Sequence, residues 1–409
     1  MSLSQAPLRL AVVLSHPTQY YSPWFRWIQA NASVELRVFY LWDFGVTPKV
    51  DPEFGKIITW DVDLLSGYES EFVPNLAKVP GAEHFSGFNN PEITRRMGSW
   101  RPSAVLLFGY RYITHLRVIA WARLNRIPLL FRGDSHFLGR GRPALPKRLI
   151  MQTVFAQFSA CLYVGASNRD YFRDLGVPDS RLFFCPHCVN ESLFNPERPE
   201  FSAQSEILRA KLGLDPDTKV VLFAGKLVPA KQPYELLRAF LEVARGNTAL
   251  VIIGDGVERS RIAAAANELL ETKGGPKVRL LPFVNQSEMP SHLRLADVFV
   301  LPSRGFHETW GLAVNEAMHM NVPCLVSDRV GCQRDLVTQG ETGWVFPADV
   351  PDSLAASLRM ALGDLESPES RGRIKMGVRE RIAGYTYSHA TEGLIAALAT
   401  LRRQPQAPL

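Results

Sequence analysis

The sequence predicts an α/β protein made of two doubly wound domains facing a cleft, and three observations carry that reading. Short β-branched runs alternate with amphipathic stretches, the alternation occurs twice, and a polar stretch rich in Pro and Ser separates the two series. In the first series, strands are expected at Leu8–Leu14, Val34–Leu41, Ala104–Phe108, Pro128–Phe131 and Cys161–Val164, with helices such as Ile113–Leu124 and Asn168–Leu175 between them. In the second series they are expected at Lys219–Phe223, Ala249–Ile253, Val278–Leu281, Asp297–Leu301, Pro323–Val326 and Gly343–Phe346. There the separating helices are Pro233–Arg245, Arg259–Thr272 and Thr309–Met320. Such alternation gives parallel sheets with helices on both faces. The expected organisation is a first domain over 1–190, a linker over 191–216 holding Pro196, Pro199 and Pro216, and a second domain over 217–370. A helical tail over 371–409 is expected to return to the first domain.

Composition agrees with this plan. The 409 residues suit two domains better than one. Charged residues make up 21% and apolar ones 46%, which excludes a disordered chain, a collagen-like repeat and a disulfide miniprotein. Five cysteines are too few and of the wrong parity for an extracellular disulfide framework. The uncharged run Leu149–Asn168 has the length of a membrane span, but Gln152, Thr153, Gln157 and Asn168 make it a helix over 147–157 running into a strand. Only Arg9 precedes the apolar run Leu10–Leu14, which is too short for a secretory leader, so a soluble, cytoplasmic chain is expected.

The net charge of +6 points to an anionic partner: nucleic acid, an anionic membrane surface or a phosphorylated small molecule. It is concentrated, because twelve cations from Arg95 to Arg148 face a single acid, Asp134. That cluster reads either as a solvated basic face or as a surface for acidic lipid headgroups or an anionic acceptor. Arg140, Arg142, Lys147 and Arg148 directly precede Leu149, Ile150 and Met151, an order that suits a segment lying on a membrane. A peripheral position on the inner face of the plasma membrane follows as an option, and nucleic acid drops out.

The segment with the most chemistry runs from Phe306 and His307 through Glu308, Thr309, Trp310, Gly311 and Leu312 to Asn315, Glu316 and Met318. It follows a strand and opens a helix. Its two acids, one in the loop and one expected two turns down the helix, can face one cleft at different depths. The helix start near Gly311 offers unpaired N–H groups and the positive end of the dipole, which suits a diphosphate, and glycine leaves room for close approach. A capped helix with two solvated acids would look the same in isolation. A second strand end, Phe223-Ala224-Gly225-Lys226, leads through Val228 and Pro229 to Lys231. Two lysines beyond the carboxyl end of a parallel strand stand where open α/β sheets bind anions.

Together these pieces resemble the donor-binding domain of the family 4 (group 1) retaining glycosyltransferases, whose GT-B fold has two facing Rossmann-like domains. The resemblance covers about Lys219 to Phe346. It includes Gly225-Lys226 with Lys231, Gly254-Asp255-Gly256, Phe283-Val284, Glu308 and Glu316 with seven residues between them, Pro323 and Gly343. It implies that Lys226 and Lys231 neutralise a nucleotide diphosphate, with Lys226 where the family usually has arginine. Glu308 would hold the donor sugar, Glu316 the ribose, and the N–H groups of Gly311 and Leu312 the phosphate. Backbone near Phe283 and Val284 would meet the base. Trp310 stands in place of the usual phenylalanine and Asn321 in place of the usual glycine.

The first domain matches less closely. Ser15-His16-Pro17-Thr18-Gln19-Tyr20-Tyr21 follows the first strand without the family's usual glycines, and His16 and Gln19 are acceptor candidates. His16 reads equally as a capping or core histidine. In Phe131-Arg132-Gly133-Asp134-Ser135-His136 the family places a polar residue beside the reacting sugar, and both Asp134 and His136 qualify. By the resemblance, the departing phosphate takes the acceptor's proton and no separate base is needed. Cys185-Pro186-His187-Cys188 spells a redox motif, yet it precedes the linker rather than a helix and reads as structural thiols. Asp61-Val62-Asp63 spells the DxD of metal-dependent transferases but lies far from the donor elements, and no cofactor or active-site metal is expected. The resulting expectation is a retaining enzyme moving a hexose-type sugar from a nucleotide donor to a hydroxyl on a saccharide or lipid-linked acceptor, in bacterial surface polysaccharide or glycolipid synthesis. A nucleotide-sugar epimerase, a phosphorylase and a non-catalytic nucleotide-binding scaffold are the alternatives.

Overall fold

The computed structural model describes residues 8–403 apart from 48–49, 52–55, 58–59, 271–276 and 306–307. Phe306 and His307, which open the motif singled out above, therefore lie outside the described residues, as do the last two residues of the helix expected at 259–272.

In chain order the first half contains β1 (Leu8–Leu14), β2 (Val34–Tyr40), β3 (Val50–Asp51), β4 (Lys56–Ile57), β5 (Glu69–Phe72), β6 (Ala104–Phe108), β7 (Leu129–Arg132), β8 (Ala160–Tyr163) and β9 (Leu182–Phe184). The second half contains β10 (Lys219–Ala224), β11 (Thr248–Ile253), β12 (Lys277–Leu281), β13 (Val298–Leu301), β14 (Cys324–Ser327) and β15 (Gly343–Phe346). β3 and β4 form a small antiparallel ribbon. The others make two fully parallel sheets, ordered β5-β2-β1-β6-β7-β8-β9 and β12-β11-β10-β13-β14-β15. The doubly wound pair expected from the sequence is thus present.

Both orders contain a point where successive strands leave in opposite directions: between β1 and β6 in one sheet, and between β10 and β13 in the other. A crevice opens at such a point beyond the carboxyl ends of the strands. Alternation along β1 shows how each sheet is covered. Leu10, Val12 and Leu14 enter one core, while Ala11 and Val13 enter the core on the opposite face.

The structure differs from expectation in three places. The edge strands β5 and β9 were not expected, because β5 reads Glu-Ser-Glu-Phe and β9 is three residues long, too polar or too short to show a period. The supposed linker holds a thirteen-residue helix, Pro199–Lys211. Pro199, taken for a linker signal, serves at its first turn, and Glu200 and Arg209/Lys211 suit its two dipole ends. The return to the first half also comes later than residue 371. Helix Pro368–Ile382 still buries Ile374, Val378 and Ile382 in the second-half core. Only helix Tyr387–Arg403 crosses, placing Tyr387, Ala390, Leu394, Ala397 and Leu398 against the first sheet at helical spacing.

The run of cations does not form one patch. Arg95 and Arg96 pair with Glu92, Arg142 pairs with Asp174, Arg117 donates to Asn89, and Arg132 is buried. Acids absent from the 95–148 window are supplied by neighbouring elements. Among the described residues no helix is long and apolar enough to cross a membrane.

Candidate functional site

The site lies at the second sheet's switch point. After β10 the chain runs through Gly225 and Lys226 into the turn Pro229–Lys231, while β13 leads to Ser303 and Glu308. The β10 loop is seated by glycines on the next strand end. A Cβ on Gly254 would stand 1.9 Å from the Gly225 carbonyl oxygen, and one on Gly256 2.5 Å from that of Leu227. Gly225 has no such constraint, since a Cβ there would make only ordinary contact with the Phe223 ring, and the chain's own packing does not require glycine. The Asp255 carbonyl accepts the Leu227 N–H at 2.8 Å, and its carboxylate accepts the Phe283 N–H at 2.8 Å. The Phe283 N–H, expected toward a base, is therefore engaged within the protein, and the Phe283 ring meets Trp60 of the first half edge-on. Val284 packs beside the second-half core.

Lys231 and Glu308 form a direct ion pair, with Glu308 also accepting from the Ser303 hydroxyl at 2.8 Å. Helix Leu312–His319 follows; Gly311 precedes it at φ 97° and no side chain caps it. Glycine is required there by the positive φ and by packing, because a Cβ would stand 2.9 Å from Val330 and 3.0 Å from Leu301. Glu316 is the fifth residue of this helix, one turn down rather than the expected two. It is buried, accepting from the Gln286 amide at 2.9 Å and from the Tyr20 hydroxyl at 3.2 Å. Burial raises its carboxyl to about 7 against the lowering effect of those two donors. Tyr20 is pushed well above the ordinary phenol range by burial and by the Glu316 and Glu308 charges, so both acids of the motif act on one hydroxyl from the first half.

Two first-half loops complete the arrangement. Asp134, beyond β7, accepts from Thr309 at 2.8 Å and from His187 Nε2 at 3.4 Å. Burial pushes its carboxyl up, but the His187 hydrogen bond and charge and the Thr309 hydroxyl outweigh that effect and hold it at about 2. His136 accepts the Leu138 N–H on Nδ1 at 3.1 Å, which leaves the proton on Nε2 to donate to the Glu308 carbonyl at 3.3 Å. Burial keeps this ring below the usual histidine range. The two candidates left open by the sequence thus differ in position: His136 braces the backbone of Glu308, while the Asp134 carboxylate reaches the Thr309 side chain.

His187 belongs to the supposed redox tetrapeptide. Cys185 and Cys188 are free and buried, and burial raises both thiols. The segment is held by buried Arg132, which donates to the carbonyls of Cys185 at 2.6 Å and Pro186 at 3.1 Å. The His187 carbonyl accepts from Asn315 at 3.0 Å, and Asn315 in turn accepts the Trp310 indole N–H at 2.8 Å. Trp310 fits because Gly165 is bare: a Cβ there would stand 2.5 Å from the indole. Asn321, in place of the family's glycine, adopts φ 61°, a region asparagine tolerates.

The structure therefore brings together Lys231, Glu308, Glu316, Asp134 and His136, with Gly225, Lys226, Gly311 and Leu312 on the same loops. Gln19 lies against the Tyr20 hydroxyl. His16 turns into the first half, bonded to Ser15 at 3.0 Å and edge-on to Trp42 and Phe44, and burial lowers it to about 4. Tyr20, Gln286, Ser303, Thr309 and His187 were missed. Each is an ordinary residue in sequence, and only the position of Tyr20 beside Gln19 hinted at a role. The DxD is structural: Asp61 binds Ser287 across the cleft, and Asp63 accepts the N–H groups of Leu65 and Ser66. Among the described residues no group of three or more His, Cys, Asp or Glu is placed to hold a metal ion.

Comparison with known proteins agrees with this geometry. The family model of the glycosyl transferases group 1 matches residues 204–379. A D-inositol 3-phosphate glycosyltransferase of Jonesia denitrificans is 29% identical over 220 residues, which is 52% of this chain and 50% of that protein, so the chain spans about half the length of this relative. The enzyme of the same description from Frankia alni is 31% identical over 296 residues, covering 68% of this chain and 70% of that one. The solved structure of Anabaena HepE in complex with UDP superposes with a TM-score of 0.70 at 14% identity, covering 96% of this chain and 100% of that one, which places both on the GT-B fold. By sequence and by fold, the chain belongs to the group 1 glycosyltransferases.

Proposed function

We propose that the protein transfers a hexose-type sugar, with retention of anomeric configuration, from a nucleotide-sugar donor to a hydroxyl acceptor in the cleft. The observation that carries this reading is the Lys231–Glu308–Ser303 cluster beside an uncapped helix N-terminus at the sheet's switch point. Glu308 balances the Lys231 charge. A bound donor would separate their tasks, with Lys231 and Lys226 meeting the diphosphate and Glu308 the hydroxyls of the sugar. Charge growing on the departing diphosphate is then met by lysines and by the dipole of helix Leu312–His319, an electrostatic arrangement set before reaction. The diphosphate oxygen accepts the acceptor's proton, so no side-chain base is assigned and no metal is assigned. Asp134, held ionised, faces the sugar from the opposite wall, with His136 fixing the Glu308 backbone. Glu316 with Gln286 would take the ribose hydroxyls. HepE binding UDP supports a uridine donor among the options, and a role in bacterial surface polysaccharide or glycolipid synthesis fits the reading.

The test is release of nucleoside diphosphate from UDP-, GDP- and ADP-sugars, with free and lipid-linked acceptors. Acceptor-dependent release with an α-configured product from an α-configured donor is expected. Conversion of the sugar without acceptor, dependence on orthophosphate, or tight diphosphate binding with no turnover would replace this reading with an epimerase, a phosphorylase or a scaffold respectively.

A further inference from the structure

A surface helix ordinarily turns its apolar stripe to the core. Helix Leu145–Phe155 begins the other way round: Leu145, Leu149 and Ile150 are 66%, 53% and 67% exposed, and only Met151 and Phe155 are buried. No acid occurs between Phe137 and Ala156. Lys147 is exposed on this turn, and Arg148 gives its hydrogen bonds to the backbone carbonyl of Asp174, which leaves its charge in place. A second exposed apolar tip is held by residues that follow the neighbouring strand β6, on a loop that carries both Lys78 and Glu83. Arg111 and Tyr112, beyond neighbouring strand β6, hold the Ala82 carbonyl and so fix a loop on which Val79 and Phe85 are 66% and 54% exposed beside Lys78.

We propose that this face seats the protein on an anionic lipid bilayer. Apolar side chains at the acyl boundary with cations beside them at headgroup level match such a surface, and an acid-free stretch adds charge complementarity. The position also suits the cleft. Eleven residues lead from Asp134 to Leu145, so extended chain cannot hold them more than roughly 40 Å apart. On the way, Gly139 passes the second half, where a Cβ would stand 3.4 Å from Arg329 and 3.6 Å from the Gly305 carbonyl. The chain that meets the second half at Gly139 thus runs on into the helix of the bilayer face, and an acceptor carried on a lipid would arrive from that side. That last consequence rests on the transferase reading; the surface itself does not.

Sedimentation with vesicles of phosphatidylcholine, with and without phosphatidylglycerol, tests the proposal. The wild-type protein is expected to pellet with phosphatidylglycerol vesicles and to be released by salt. The exposed double substitution Leu149→Asp/Ile150→Asp should lower partitioning roughly tenfold or more, and Lys147→Glu should weaken it on the anionic vesicles alone. Binding of UDP, GDP or ADP, measured by calorimetry, should be the same in wild type and variants. Vesicle binding lost in the variants upholds the surface even if no nucleotide binds, an outcome that removes only the transferase reading. Absence of wild-type pelleting at low salt overturns the proposal, as does pelleting that neither variant changes. A wild-type dimer in light scattering that Leu149→Asp/Ile150→Asp makes monomeric, without vesicle binding, also overturns it and makes the face a self-interface.

Discussion

The two walls of the cleft use the same sheet geometry but different ways of placing their polar groups. On the second-half wall, Lys231, Ser303 and Glu308 follow two adjacent strand ends and bond to one another over short loops, and Glu316, in the helix that follows, accepts from Gln286 of the same half. On the first-half wall, Tyr20, Asp134, His136 and His187 come from three separate loops, and each is fixed largely by a partner across the cleft: Glu316, Thr309, the Glu308 carbonyl and Asn315. The second-half wall is organised locally, whereas the opposite wall is organised by closure onto it. Substitutions on the two walls should therefore fail differently.

Lys231→Ala and Glu308→Ala carry the largest expected effect. Each should reduce transfer by about 10²–10³-fold or more, with the fold intact by circular dichroism, because each removes charge placed for the departing diphosphate or its sugar. Near-wild-type turnover in either would break the comparison at its stronger side. Asp134→Asn should lower turnover about tenfold or more while nucleoside diphosphate affinity stays unchanged. A matching loss of diphosphate affinity would show that this wall also holds the donor phosphate.

Arg132→Met should cost about 2–4 kcal/mol in urea denaturation, since it strips donors from two buried carbonyls that hold the His187 segment. A loss under about 1 kcal/mol would mean that the segment is held by its packing instead.

The effect least damaging to the fold is a pH dependence. Glu316, at about 7, binds its proton more tightly in the folded chain than unfolded, so its contribution to stability falls as pH rises from about 4.5 to 7. Glu316→Gln should remove that slope and gain up to roughly 3 kcal/mol at pH 8 relative to pH 4. Thermal unfolding at the two pH values measures it, and a parallel shift at both would show that the acid is already ionised without cost.

Much of the second-half wall was legible in the sequence because its information is local. Glu308, Gly311 and Glu316 share one strand-to-helix segment, and Lys226 and Lys231 another, so strand–helix alternation put them beyond strand ends and the family resemblance singled them out. Even there the helix started later than expected, since Gly311 holds a positive φ and ends the loop. The other wall was legible only as far as Asp134 and His136, with no means to separate them, because the difference lies in what each meets across the cleft. The Cys-Pro-His-Cys segment was rightly set aside as redox chemistry, yet His187 within it reaches Asp134, and no local pattern encodes that contact. How far the basic run is balanced was not legible for the same reason: Glu92 and Asp174 stand outside the window in sequence and inside it in space.

The sequence by itself determined the alternation of strands and helices, and hence two parallel doubly wound sheets, because the periods of 2 and 3.6 residues are set by local backbone geometry. It also put Lys226 with Lys231, and Glu308 and Gly311 with Glu316, on two strand-to-helix segments, because each set is close in sequence. Only the tertiary structure decided which carboxylate is buried, which histidine braces the backbone, where the tail crosses, and which cations are balanced. Those outcomes depend on burial and on partners brought together from distant parts of the chain, and it is distance in space that sets both charge and hydrogen bonding.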